Sequence, residues 1–260
     1  MFKMNERVFA AYIYVTQTEH DAVVRMYDWE VKTFEGDDQE YMEAEMLKDG
    51  HTVKVVAARQ DEMGMTAAAT LSMKLIERYR PKYLIMPGIA AGTGEEGPDD
   101  QLYGDVILAD AVWNYSNGKY VSPEEADIRF GEVGFLPRPT FVNIDEKLFP
   151  YFQQAVDTDE HQCHVHIGYM ASGSTVVANR MVLEKQIQSQ YEQTCGLEME
   201  SYGVAYAAQH CTEPHPYPII AKSVCDFADA RKSDQYQKFA AYTSCEFLKY
   251  LCEKILPEEL

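Results

Sequence analysis

The 260-residue chain carries 23 basic against 42 acidic side chains, a formal net charge of −19, with 46% hydrophobic residues. That charge opposes an extended nucleic-acid or anionic-membrane surface, so a small molecule is the expected partner, and any phosphate on it would need local Arg or Lys residues. The length suits one α/β domain over residues 1–260 that buries roughly three quarters of its unfolded surface, and no linker, repeat or low-complexity tract divides it.

No apolar stretch suits a membrane span, and Met1–Arg7 leads into an ordinary strand rather than a signal peptide, so a cytoplasmic location is expected. Six cysteines without CxxC spacing read as reduced, mostly buried thiols.

The first strand, near Val8–Val15, ends at Thr16-Gln17-Thr18, after which 19–26 turns helical with Thr18 as the expected N-cap and Asp21 three residues on. A cap therefore accounts for the acids here, yet Glu19 also sits at a strand end and is the candidate for holding a water. Residues 28–60 read as antiparallel strands around the acidic turn Glu35–Asp38, with Val53, Val55 and Val56 as the interior run. A helix is predicted over 66–80, its buried stripe formed by Ala67, Leu71, Leu75, Ile76 and Tyr79, and Pro81 ends it. The apolar strand 82–86 then opens into Pro87-Gly88-Ile89-Ala90-Ala91-Gly92-Thr93-Gly94, whose glycines let backbone approach a ligand. No Gly-Lys-Ser/Thr follows, which excludes a P-loop.

A further strand is expected over 104–109. Residues 113–141, rich in Gly, Pro and Asn, lack periodicity. Such a segment is either a functional loop over a pocket, with Lys119, Arg129 or Arg138 available to a ligand phosphate, or a solvated excursion or oligomer contact. His161, His164 and His166 form a cluster, the last two on one face of a strand over 164–171. With no third ligand nearby in sequence they read as surface or packing residues, and no metal site or cofactor is expected. A helix over about 180–191 follows. The terminal helix, about 234–255, places Tyr236, Phe239, Ala240, Thr243, Phe247, Tyr250 and Leu251 on a core-facing stripe.

Two segments carry the chemistry. In Gly196-Leu197-Glu198-Met199-Glu200, apolar and acidic residues alternate as in a half-buried strand before Val204, Ala205, Ala207 and Ala208 shift to helical spacing. Glu198 and Glu200 thus stand where a strand gives way to a helix. They either cap the helix over 201–210, where negative charge is worth roughly 0.3–1 kcal/mol, or meet donors from a ligand; a pair of sugar hydroxyls suits Glu200. The apolar run from Pro218 stops at Asp226, and ligands of open parallel sheets bind beyond the carboxyl ends of the strands. Asp226 or Asp229 would alternatively start the turn before the last helix. Two carboxylates on an apolar framework are what acid-assisted cleavage of a ribosyl bond requires.

In this order, Gly88-Ile89-Ala90-Ala91-Gly92, Gly196-Leu197-Glu198-Met199-Glu200 and Cys225-Asp226-Phe227-Ala228-Asp229 resemble the three signatures of the nucleoside phosphorylase/nucleosidase superfamily, most closely its nucleosidase branch. The resemblance covers Val8–Ile255. It implies a three-layer α/β/α sandwich around a mixed, partly barrel-like sheet, a homodimer, and a purine nucleoside or nucleotide as the ligand.

Residue by residue, the resemblance makes Asp226 the general acid toward purine N7 and Glu200 the carboxylate on the ribose hydroxyls. Met199 would pack on the sugar, Glu198 would stand near it, and Glu19 would activate water, unless the alignment slips to Asp21. Ile89, Ala90 and Val177 would line the pocket, and Val176 falls where methylthioadenosine nucleosidases place an aromatic ring over adenine. Met86-Pro87 stands where phosphorylases of the superfamily carry a phosphate-binding Arg, which favours water as the nucleophile. Phosphorolysis is the alternative, as is a nucleotide-sensing or defence module of the same fold. Members that attack adenine nucleotides such as ATP give Arg59, Lys119, Arg129 and Arg138 an interest of their own.

Overall fold

In the computed structural model, which describes residues 7–94, 97, 100–158 and 163–260, the apolar runs become strands of one large sheet. Its members in chain order are β1 (Ala10–Tyr14), β2 (Glu30–Phe34), β3 (Asp37–Lys48), β4 (His51–Arg59), β5 (Tyr83–Met86), β6 (Ile89–Gly92) and β7 (Val106–Asn114). After β7 come β8 (Gly118–Val121), β9 (Ile128–Phe130) and β10 (Val133–Pro137), which form a separate sheet, and then β11 (Thr140–Asn143), β12 (Val165–Ser172), β13 (Thr194–Glu198) and β14 (Tyr217–Asp226).

The eleven-stranded sheet runs β11-β7-β12-β13-β6-β14-β5-β1-β4-β3-β2, and β14 also pairs with β7. That extra pairing closes β7, β12, β13, β6 and β14 into a ring, the barrel-like half of a mixed sheet whose other half stays open. β1, β5 and β14 are buried along almost their whole length because both faces are covered. Side-chain alternation splits β1 between two cores. Ala10, Tyr12 and Tyr14 join Ala22 and Val23 of α1 (Gln17–Val23), Phe152 of α3 (Phe149–Val156) and Phe247 of the C-terminal helix Gln237–Tyr250. Ala11 and Ile13 pack toward Leu71 and Leu75 of α2 (Met65–Tyr79) and toward Val204 and Ala208 of the helix Ser201–His210. Helices thus cover both sheet faces, the expected α/β/α sandwich. Among the described residues no helix is long and apolar enough to cross a membrane, and four of the six cysteines are buried.

Several local expectations are corrected. The cap of α1 is Thr16, not Thr18: its extended backbone places Oγ1 to accept the Glu19 N–H, and the Glu19 carboxylate accepts the Thr16 N–H in return. The buried stripe of α2 uses Ala68, while Ala67 is half-buried. Residues 113–141 are not structureless: β7 runs on to Asn114, β11 pairs with it, and β8, β9 and β10 form a three-stranded antiparallel sheet. The glycines that mask a strand pattern there serve turns and close contacts; Gly131 has φ +62°, and a Cβ at Gly118 would collide with the Phe135 ring. The helix after Asn179 is one α-turn, Arg180–Val182, continued by π-type turns over Leu183–Gln188. On the last helix Phe239 is exposed, not core; its ring lies over Gly104.

Candidate active site

The ends of β1, β13 and β14 and the turn into β6 meet around one cavity, lined by Glu19, Ile89, Ala90, Val176, Val177, Glu198, Met199, Glu200 and Asp226 among others. All nine residues singled out from the sequence are therefore brought together. Asp21, the alternative to Glu19, is exposed and accepts from the Gln17 amide at 2.8 Å. Lys119, Arg129 and Arg138 are exposed and outside the cavity lining. Arg59 donates to the Val15 carbonyl at 2.7 Å and to Gln17.

Each carboxylate is held differently. Glu19 serves both the helix cap and the cavity: Oε2 accepts from the Val15 and Thr16 N–H groups at 3.0 and 2.9 Å, and Oε1 accepts from the Ile89 N–H at 3.1 Å. This geometry needs Gly88, whose φ is +140° and where a Cβ would sit 2.0 Å from Glu19 Oε1. Glu198 is the most heavily bonded of the four, accepting from the Glu200 N–H at 2.8 Å, from the Ser201 N–H, and from the Ser172 and Ser201 hydroxyls at 2.6 and 2.5 Å. It starts the helix Ser201–His210 while also lining the cavity. The two readings of this acid were not exclusive.

Among the described residues the Glu200 carboxylate has one hydrogen-bond donor, the Gly64 N–H at 2.7 Å from Oε1. Burial first, then the neighbouring Glu198, pushes its pKa up to about 7, against the pull of Lys222. A buried carboxylate with spare lone pairs facing a cavity is suited to paired hydroxyl donors. Asp226 ends β14, where its Oδ1 accepts from the Ala228 N–H at 2.9 Å and its Oδ2 faces the Cys225 thiol at 3.3 Å. Burial, then the charge of Asp226, raises the Cys225 pKa, so this thiol stays protonated and is a donor to the carboxylate.

Two cations escaped the sequence reading. Lys222, wholly buried in the middle of β14, places Nζ 3.5 Å from Glu19 Oε1 and 4.0 Å from Glu198 Oε2. Burial works to lower its pKa, but Glu19, Glu198 and Glu200 outweigh it and hold the ammonium charged. A lysine inside an otherwise apolar strand was the available signal, since a buried lysine demands partners. Lys232, in the turn after β14, ion-pairs with Asp226 Oδ2 and is the cation among the described lining residues. Nothing in its local sequence marks it, because the contact depends on how residues 227–236 fold back over the strand end.

Comparison with known proteins agrees with this architecture. The chain is 30% identical over 244 residues, 88% of its length and 56% of the other, to the uncharacterized protein y4jS of Sinorhizobium fredii. It is 24% identical to the ATP nucleosidase Cap17 of Escherichia coli over 74% of this chain and 40% of that one. It is 25% identical to the 5′-methylthioadenosine/S-adenosylhomocysteine nucleosidase of Buchnera aphidicola over 75% and 78%. The chain thus spans about half, or less, of the length of y4jS and Cap17. In fold it superposes on the Neisseria meningitidis 5′-methylthioadenosine/S-adenosylhomocysteine nucleosidase with a TM-score of 0.74 at 20% identity, covering 94% of this chain and 98% of that one. The futalosine hydrolase of Helicobacter pylori gives 0.70 at 19% identity, covering 94% and 97%. The family model described as "Phosphorylase superfamily" matches residues 21–257, and over that span, nearly the whole chain, this protein belongs to the phosphorylase superfamily.

Proposed function

We propose that this chain is a purine nucleosidase, an N-glycosyl hydrolase that cleaves the bond between ribose C1′ and the base of a purine nucleoside or nucleotide. The observation that carries the reading is the convergence of Glu19, Glu200 and Asp226, three carboxylates from distant parts of the chain, on one cavity. Relatives and structural neighbours named as nucleosidases or hydrolases support it.

In this reading Glu200 accepts the two ribose hydroxyls and Met199 packs on the sugar. The C1′–N9 bond breaks with its electron pair going to the purine, and Asp226 as general acid delivers a proton to N7. Positive charge left on the ribose is stabilised by the surrounding carboxylates. Water adds to C1′ and loses a proton to Glu19, giving free base and ribose. The general-acid contribution of Asp226 is worth about 10²–10⁴ in rate. Lys222 holds Glu19 and Glu198 in place as a fixed counter-charge. Lys232 occupies Asp226 Oδ2, so the purine contends with it for the acid. Among the described residues four carboxylates and one lysine line the cavity, a balance that disfavours a phosphate dianion as nucleophile and favours water. A homodimer acting in the cytoplasm belongs to the same proposal, and light scattering tests the dimer.

The experiment is incubation with adenosine, inosine, methylthioadenosine, S-adenosylhomocysteine, AMP and ATP, with and without phosphate, with chromatography of the released base. Free base without phosphate is expected. Strict phosphate dependence with ribose 1-phosphate as product overturns hydrolysis. The ion pair of Lys232 with Asp226 favours one second reading, a nucleotide-sensing module whose acid stays engaged; tight binding without base release, unchanged in Asp226→Asn, would establish it.

A further inference from the structure

Strand pairing brings a third ligand-type residue to His164 and His166. β12 runs parallel to β7 with Val165 opposite Val106 and His166 opposite Ile107. The Val106 N–H also donates to the His164 carbonyl at 2.8 Å. Asp105, the residue before β7, is thereby set beside both histidines. Residues two apart on extended chain share a face, and the two imidazole centroids are 4.6 Å apart. Asp105 Oδ2 lies 2.9 Å from His166 Nε2 and 3.8 Å from His164 Nδ1. One ligand atom from each of the three residues falls within 4.8 Å of the others. His161 lies outside the described residues.

The carboxylate is oriented before any ion arrives. Asp105 is buried, and the Leu102 N–H donates to its Oδ2 at 2.9 Å, the kind of outer hydrogen bond that fixes a metal ligand. His166 is half-buried and His164 is 70% exposed, so the cluster is closed on the protein side and open to solvent on the other. An ion pair between His166 and Asp105 would account for those two residues, but not for a second imidazole turned toward the same oxygen.

We propose that Asp105, His164 and His166 form a binding site for a divalent transition-metal ion of the zinc class, with two imidazole nitrogens, one carboxylate oxygen and solvent as ligands. Ligands at roughly 2.0–2.2 Å from a tetrahedral zinc stand about 3.3–3.6 Å from one another, so the exposed His164 ring must close on Asp105 from 3.8 Å and His166 must open from 2.9 Å, each by a fraction of an ångström. None of the three residues lines the active-site cavity. The ion would instead pin the turn at Tyr103–Asp105, which braces β14: the Gly104 N–H donates to the Val224 carbonyl, and the Val224 N–H to the Asp105 carbonyl. The Tyr103 ring of this turn stacks on Tyr236 at 3.9 Å and meets Phe227 edge-on. The site is therefore structural, bracing the strand that ends in Asp226, and it stands whether or not the chain is a nucleosidase.

The test uses untagged full-length protein stripped with chelator and titrated separately with Co²⁺ and with Zn²⁺. One equivalent is expected to bind, with visible Co²⁺ bands diagnostic of nitrogen and oxygen ligation and displaced by Zn²⁺. His164→Ala, at an exposed position that leaves the fold intact, should weaken binding at least tenfold, as should His166→Ala and Asp105→Asn. His215→Ala, at an exposed site elsewhere, should not. Absence of saturable binding, or equal affinity in the wild type and His164→Ala, overturns the proposal.

Discussion

Replacing Lys222 with Met tests the electrostatic core of the site, because it removes a buried cation while keeping the volume of its stem. Nζ stands 3.5 Å from Glu19 Oε1 and 4.0 Å from Glu198 Oε2, and its side chain is 1% exposed. At an effective dielectric constant near 20, each such pair is worth about 4 kcal/mol. Against roughly 8 kcal/mol for the two stands the desolvation of the lysine itself, several kcal/mol, which the variant no longer bears. The expected net loss is about 3–5 kcal/mol, the range found when a buried pair loses one partner, and Tm should fall by roughly 6–20 °C for a chain of this size. The loss should also grow with pH. Glu200 already has a folded pKa of about 7, raised by burial and by Glu198 and pulled down by Lys222. A carboxyl whose pKa is higher folded than unfolded binds more protons in the native state, so stability declines as pH rises through that window. Without Lys222 the Glu200 pKa rises further, and the deficit widens from pH 5 to pH 8. Urea denaturation of both proteins at pH 5, 6, 7 and 8 measures this directly, and Lys222→Met combined with Glu19→Gln should recover part of the loss. A variant as stable as the wild type at pH 8, or a deficit that shrinks with rising pH, refutes the reasoning.

Glu200→Gln should lose affinity for ribosides yet gain stability relative to the wild type above pH 7, by up to about 3 kcal/mol on a shift from 4.5 to about 7; chemical denaturation at pH 5 and pH 8 separates the two effects. If the ionised form of Glu200 binds the ribose, kcat/KM of the wild type should fall as pH drops below 7. Gly88→Ala should cost about 2 kcal/mol or more and abolish turnover, since its Cβ would overlap Glu19 Oε1 at a positive φ; an active, stable variant would show that Glu19 is not held against this turn. Lys232→Met, removing the cation on Asp226, should change KM for the purine more than it changes Tm, because that side chain is a quarter exposed. Equal substrate affinity in the two proteins would mean that Lys232 does not contend with the base for Asp226.

The sequence by itself determined most of the element order and picked out the acids that converge on the cavity. Continuous apolar runs such as Pro218–Ala221 mark strands covered on both faces, and the change of spacing after Glu200 locates a strand-to-helix junction, because side-chain periodicity is a local property of the backbone. Local pattern failed in two kinds of place. Over 113–141, turn glycines and short strands hid a small sheet, and at α1 the choice between Thr16 and Thr18 depended on which threonine leaves the strand with extended backbone. Tertiary structure alone decided which charges meet. Lys222 is buried among carboxylates from α1 and β13, Lys232 closes on Asp226, and Asp105 reaches His166 from the turn that opens the adjoining strand. Such pairings span 6 to 203 positions in the chain and follow from strand register and barrel closure. Those depend on the packing of the whole sheet, and no window of neighbouring residues carries that information.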